Sequence, residues 1–360
     1  MTENRGASGV VRRASAFANP QMNCDCSTRG RSLTAPLRLR TEKEQPLLNR
    51  LLTCARPTQR LDVHHFNLQQ FNTQRLNVQQ PDTIEDTESI QRTASMFDKS
   101  VPDWLVGVWH RLSIEEFSVD GHIEKDTTTQ VFWLQTDSGF ADIRIPADRP
   151  AVKSFDSLTS QQAIALSKQD GFAGITRSDG IICEWHHAMD YRPFKGQMDI
   201  GRMSWKDGIE GGILVEIGPD NAYREEWQWI GGGATATLTL SEASAWKGWL
   251  VVCGDFFICM RDRRQLLPAA DSLTALVNRA SSETYASYLS CEISYGYCQK
   301  GQKPWEIKLS TFPWREGESL WHPETLIVDE QHQQVVQSEG DEQLVWTVQN
   351  WGALAQLLPV

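Results

Sequence analysis

Tryptophan is missing from the first 103 residues of this 360-residue chain, although 14 follow from Trp104 onward. Tyrosine is missing until Tyr191. Through Ser95 the chain holds 12 Arg, a single Lys (Lys43) and 9 acidic residues, set among Gln, Asn, Thr and Ser. Aromatic rings supply much of the area a fold can bury, so a stretch without Trp or Tyr cannot offset the entropy of ordering itself. Residues 1–95 are therefore expected to be disordered and to take no part in the fold. No run of 18 apolar residues occurs, which excludes a long apolar transmembrane helix. Gly-x-Ser-x-Gly, His-Glu-x-x-His, a phosphate loop and Cys-x-x-Cys are all absent. That removes the motif-defined hydrolases, zinc proteases and nucleotide-binding folds, while a Ser-His-Asp set scattered along the chain stays open. Five cysteines follow Ser95, an odd number at irregular spacing. They suit free, partly buried thiols in a reducing, cytoplasmic setting better than a disulfide framework.

Two readings of the N-terminal stretch compete. Seven Arg against Glu3 and Asp25 in the first 40 residues resemble an organelle transit peptide. The alternative, adopted here, places the true start at Met96, directly before the first Trp, and makes the rest an extension. Cys24-x-Cys26 lacks a second ligand pair and makes no zinc site, and no metal or other cofactor is expected. After Ser95 the balance is 22 basic against 37 acidic residues. This acidity argues against nucleic acid as a partner, because neutralising phosphate dominates such binding.

What the later part does contain is self-similarity. Trp133-Leu134 returns as Trp249-Leu250, Phe140–Arg144 as Phe257–Arg261, and Asp156–Thr159 as Asp271–Thr274, at offsets of 115 to 117. Cys183-Glu184 returns as Cys291-Glu292, Trp205 as Trp314, and Leu214–Glu216 as Ile327–Asp329, at 108 to 113. By the same spacing Val108-Trp109-His110 corresponds to Glu226-Trp227-Gln228. Two units follow, at 104–219 and 222–360. Short β-branched and aromatic runs broken by Ser178-Asp179-Gly180, Lys206-Asp207-Gly208 and Pro219-Asp220-Asn221 predict antiparallel strands. Thr159-Ser-Gln-Gln162 is a capping box before one short helix, echoed near Thr274 in the second unit. The expected fold is all-β, two tandem lipocalin-like antiparallel barrels with one helix each.

Gly107-Val108-Trp109 resembles the Gly-x-Trp signature of lipocalins and other calycins. Tyr223–Trp227, Gly248–Gly254 and Leu289–Gly296 resemble the fungal Hri proteins and bacterial sequences of the same look. Those fungal proteins are two-barrel, lipocalin-like and named for interaction with a casein-type kinase. The resemblance implies two barrels and a role in protein interaction; it assigns no residue.

Strict alternation along the central strand puts Trp185, His187 and Tyr191 on one face with Cys183 and Met189. Trp109 and Arg111 share a face of the opening strand, and Arg202 shares one with Met198 and Ile200. A buried guanidinium needs a partner or an anionic ligand. If Trp109, Arg111, Trp185, His187, Tyr191 and Arg202 converge, they form a pocket for a small amphipathic ligand with an acidic group. The competing reading makes the Arg–Trp packing structural, closing one barrel end. Glu225 and Trp227 are expected to be structural, with Glu225 paired to Arg261. Three functions stay open: a non-catalytic ligand-binding protein, a protein-interaction scaffold with filled barrels, and an enzyme using His187, Tyr191 and Arg111 on a carboxylate.

Overall fold

Runs rich in Val, Ile, Thr and aromatic residues become strands because branched and planar side chains pack well on a pleated surface. The computed structural model describes residues 100–360 except 194, 195, 197, 242–246, 323, 324, 355–357, 359 and 360. The expectations for residues 1–95, disorder, transit peptide or a start at Met96, lie outside the described residues.

The first sheet comprises β1 (Gly107–Phe117), β2 (Ile123–Asp126), β3 (Gln130–Gln135), β4 (Phe140–Ile145), β5 (Phe172–Ser178), β6 (Ile182–Asp190), β7 (Asp199–Trp205), β8 (Ile213–Ile217) and β9 (Tyr223–Gly231). From β3 to β9 each strand pairs antiparallel with the next, β3 also pairs with β1, and β9 returns to β1. Eight strands thus close a barrel, while β2 extends β1 as a hairpin arm. The boundary expected at 219/222 is therefore corrected: Tyr223–Gly231 completes the first barrel and does not open a second unit. Trp227 lies opposite Arg111 on β1, so it is a neighbour of Trp109 and not its counterpart.

The second sheet runs β14 (Glu306–Ser310), β13 (Glu292–Tyr297), β12 (Phe256–Arg261), β11 (Gly248–Cys253), β10 (Thr235–Leu240), β17 (Glu342–Gln349), β16 (Gln334–Glu339) and β15 (Leu326–Asp329). Here too the first and last strands pair, β10 with β17. Among the described residues β14 and β15 do not. The free edge of β14 is taken instead by the chain just beyond it. Gly317 N–H donates to Ile307 O, Ile307 N–H to Glu318 O and Leu320 N–H to Trp305 O, each at 2.8 Å. An edge so covered is no template for pairing with another chain.

Between β4 and β5 lies α1 (Ser160–Leu166), whose Thr159 and Gln162 form the reciprocal capping box. Between β12 and β13 come two helices where one was expected, α2 (Leu273–Arg279) and α3 (Ser282–Tyr288). The sequence matches at offsets of 108 to 113 also separate in the fold. Glu184 lies on β6 and Glu292 on β13, Trp205 ends β7 and Trp314 sits in a 3-10 turn, and Leu214–Glu216 lies in β8 but Ile327–Asp329 in β15.

Both sheets belong to one compact unit. The largest apolar cluster lies between them and inside neither, joining Leu134, Ile143 and Met189 of the first to Val251, Ile258 and Ile293 of the second. Phe132 stacks on Tyr295 with ring centroids 4.1 Å apart, and Ser167 and Thr274 hydroxyls meet at 2.9 Å between α1 and α2. The buried Arg263 guanidinium of the second half donates to Tyr288 O, Asp190 O and Tyr191 O. Burying apolar side chains such as Leu134, Ile143 and Ile258 stabilises by about 1.5–3 kcal/mol each, so the shared layer is a main source of stability.

Candidate functional site

Inside the first barrel the tryptophans gather at one end. Trp109 is fully buried and stacks on Trp133 at 6.1 Å; Trp133 meets Trp185 and Trp227 edge-on at 5.7 and 5.5 Å. Trp109 Nε1 donates to Leu105 O at 2.9 Å, tying the segment before β1 to this end. Beyond the indoles lies a cavity of about 490 Å³. Trp133, Phe140, Phe172, Trp185 and Trp227 form its aromatic wall, and Asp142, Arg144, Glu216, Tyr223 and Glu225 contribute the polar one.

Two β-bulges decide which residues face inward. Leu112 has no partner in β9, since Arg111 pairs with Trp227 and Ser113 with Glu226. A single extra residue reverses the alternation, so Trp109 and Arg111 are followed inward by Ile114 and Glu116, both on the cavity wall. On β6 Ala188 is likewise skipped, because Gly174 pairs with His187 and Ala173 with Met189. A Cβ on Gly174 would come within 2.0 Å of His186 O, so the bulge requires glycine there.

That second bulge corrects the expectation for the central strand. Cys183 and Trp185 do face the barrel interior. Tyr191 does not: it is buried in the layer between the sheets, donating to Leu166 O at 3.0 Å and accepting from Gln169 Nε2 at 3.1 Å. Burial pushes its phenol well above the usual range. His187 stacks on Phe172 at 4.2 Å and shares its ring nitrogens with Asp190 (2.6 Å) and Asp199 (3.1 Å). Burial opposes its protonation, but those two carboxylates prevail and raise it to about 9. It is a protonated tie between β6 and β7, behind the cavity wall. Arg202 is exposed on the outer face of β7 and contributes nothing to the interior.

Arg111 is buried as expected, and its partners are internal. It donates to Glu225 Oε1 at 2.7 Å and to Asp126 Oδ2 at 3.3 Å. Asp126 also accepts from the Thr128 hydroxyl and the Thr128 and Thr129 amides, which hold it far below the usual carboxylate range despite partial burial. Glu225 pairs with Arg111 and lies 3.7 Å from Arg144; the expected pairing with Arg261 is wrong. Arg261 belongs to the second half and meets Glu292 at 3.0 Å and Glu339. Of the two guanidiniums assigned to an acidic ligand, Arg111 is thus already matched within the protein and Arg202 faces away from the cavity.

The polar wall is richer than sequence reasoning anticipated. Arg144 Nε donates to Asp142 Oδ2 at 2.8 Å, leaving Asp142 Oδ1 with no hydrogen-bond partner. Burial lifts the Asp142 carboxyl to about 6 against the pull of Arg144. Glu216, opposite Glu225 on the neighbouring strand, accepts from Tyr223 Oη at 2.8 Å and Trp227 Nε1 at 3.1 Å. Burial, then the charges of Glu225 and Asp199, drive it well above the usual carboxylate range. Gly201 makes its place: a Cβ there would come within 2.7 Å of Glu216 Cγ and 3.0 Å of the Trp185 ring. Trp133 Nε1, also buried, has no partner. The signals for these residues were present as polar side chains at alternate positions of apolar strands, Asp142 and Arg144 in Phe140–Ile145 and Glu216 in Ile213–Ile217.

The second sheet encloses a smaller cavity of about 330 Å³ among Arg261, Glu292, Arg315, Trp321 and Trp346. Glu292 receives Arg261 and Arg315, each at 3.0 Å, and these hold it below the usual range despite full burial. Gln337 Oε1 accepts from both Trp321 and Trp346 at 3.1 Å. Among the described residues the five cysteines are free and buried, and burial pushes the Cys183, Cys253, Cys259 and Cys291 thiols up to about 12. Among the described residues no helix is long and apolar enough to cross a membrane.

No family model and no curated protein matches the chain. Among solved structures it is similar to the uncharacterized protein YLR301w from Saccharomyces cerevisiae, at 14% identity and a TM-score of 0.39. That match covers 67% of this chain and 96% of the yeast one.

Proposed function

We propose that the chain is a non-catalytic binding protein of lipocalin-like design, built from two tandem barrels, whose first barrel holds a small amphipathic molecule. The cavity of about 490 Å³ carries this reading. It falls within the roughly 300–1,000 Å³ of small-ligand sites and joins an aromatic wall to a few convergent polar groups. A barrel filled by its own side chains, as an interaction scaffold needs, would leave no such space.

The tandem reading is supported by the order of elements. Trp133 and Trp249 stand on β3 and β11, Arg144 and Arg261 lie at the C-terminal ends of β4 and β12, next to last in β4 and last in β12, and α1 and α2 follow those strands. In each half the first strand pairs with the last. Five buried, free thiols favour a reducing compartment such as the cytoplasm.

The enzyme reading rests on His187, Tyr191 and Arg111. His187 is engaged by two carboxylates, Tyr191 lies outside the barrel and Arg111 is ion-paired, so none of these three supports it.

The test is titration of intrinsic tryptophan fluorescence with anionic, neutral and cationic amphiphiles, beside native mass spectrometry of protein from its own host. Saturable change with at least one class, lost in Ile114→Trp, is expected. A panel giving neither saturation nor retained mass removes the proposal.

A further inference from the structure

Resting on that reading, we infer that the ligand of the first barrel is a small aromatic ammonium, its charge held by Glu216 and Asp142 and its ring by Trp133, Trp185 and Trp227. The argument starts from how the charges in the cavity are matched. Arg111 is taken by Glu225 and Asp126, and Arg144 by Asp142 and Glu225. Asp199 is met by His187 and Asp170 by Arg192. Glu116 stands at the exposed rim, and of the buried acids on the wall Glu216 is left over. Its two oxygens accept from neutral donors, Tyr223 and Trp227, and among the described residues no cation pairs with it. Asp142 is 2% exposed, lines the cavity and keeps one oxygen without a partner.

A buried carboxylate without a cation is costly to ionise. Burial and the neighbouring charges of Glu225 and Asp199 raise the titration of Glu216, which favours the proton over the bare charge. A guest cation removes the reason for that proton and gains an ionised partner in a poorly solvated site. An anionic guest would add to the same repulsion, and a neutral one would leave it unrelieved.

The opposite wall suits the rest of such a guest. Indole faces attract cations, most strongly when the pair is shielded from water, and Phe140 and Phe172 extend the apolar surface for a ring or short alkyl chain. A bare metal ion is the poorer fit, since no three His, Cys, Asp or Glu among the described residues are grouped to hold one.

The experiment compares three probes of nearly equal shape, phenethylammonium, 2-phenylethanol and 3-phenylpropionate, by fluorescence and calorimetric titration of the full chain at pH 7.5. Phenethylammonium should bind at least ten-fold more tightly than either companion. Glu216→Gln, which keeps the shape and can accept from Trp227 Nε1 through its carbonyl oxygen and donate from its amide to the Tyr223 oxygen, should lose that preference while its melting curve stays cooperative. If the alcohol or the acid binds as tightly as the amine, the inference fails and the binding reading survives. If none of the three saturates, the inference also fails, and the wider amphiphile panel decides the binding reading separately. A Glu216→Gln variant that folds and keeps a full ten-fold preference for the amine overturns the assignment of Glu216.

Discussion

Arg261 and Glu292 stand directly opposite one another on β12 and β13, and their side chains meet at 3.0 Å. In the first half Arg144 faces Asp170 through two backbone hydrogen bonds, at 2.9 and 3.0 Å, at the point where β4 passes to β5. An arginine near the end of the strand before the helical connection, met by an acid at or just before the start of the strand after it, thus occurs once in each half. What differs is the inward neighbour two residues earlier, Asp142 in one case and Cys259 in the other. That one exchange helps make the first cavity the more acidic.

The Arg111–Glu225 pair is buried on both sides. Glu225→Ala should cost about 3–5 kcal/mol, because it leaves Arg111 buried without its nearest counter-charge. Replacing Arg111 by Met and Glu225 by Leu together should cost less than the sum of the single changes. Urea unfolding of the four variants measures the coupling, and strict additivity would show that the pair does not act as a unit.

His187 should give the chain a stability that declines in mild alkali. Its folded-state value is raised from 6.5 to about 9. The contribution is therefore fully present below about pH 6.5 and is lost as pH rises through about 9. His187→Gln should be less stable than the parent by about 1–3 kcal/mol at pH 6 and nearly equal to it at pH 9.5. Parallel unfolding curves with a constant difference across that range would refute the assignment.

Asp142 works the other way. Its carboxyl rises from 3.8 to about 6 on folding, so the native state binds the extra proton in between. Its contribution is fully present below about pH 3.8 and is lost as pH rises through about 6. Asp142→Asn removes that loss and should gain stability relative to the parent from pH 4 to pH 7, by about 1–3 kcal/mol. A variant that loses ground as pH rises contradicts this sign.

Gly174→Ala tests the bulge. The new methyl would collide with His186 O, and relief requires β5 and β6 to separate or the bulge to move. A loss above about 4 kcal/mol is expected, the range of the few severe single substitutions. A loss below about 1 kcal/mol in thermal unfolding would mean that the bulge does not depend on glycine.

Much of the architecture could be read from spacing and side-chain type: strands, the capping box at Thr159, and inward-facing Trp109 and Trp185. The errors have identifiable physical sources. Tyr191 was misplaced because one unpaired residue, Ala188, inverts every side chain beyond it, and strict alternation cannot register an insertion of one. Glu225 was matched to Arg261 because an offset along the chain carries no information on which strands close a ring. Once β9 lies against β1, Glu225 is brought beside Arg111 and Arg144. The back-to-back packing of the sheets was equally hidden. Strands such as Phe140–Ile145 bury both faces, one inside the barrel and one against the other half, so they show no polar side to mark the contact. The surplus acid in the cavity escaped notice because Glu216 reads as an ordinary interruption of an apolar run.

The chain passes from β9 to β10 through Gly231, Gly232 and Gly233, and a Cβ on Gly233 would come within 2.8 Å of Gly254 Cα. A protease cutting in this connection would sever the backbone without dividing the protein. Phe132 would still lie on Tyr295, and Arg263 would still grip the carbonyls of Asp190 and Tyr191, so the two pieces should migrate together until a denaturant parts them. Either piece made alone would show water the greasy back it was shaped to hide, and should need its other half during synthesis to stay in solution.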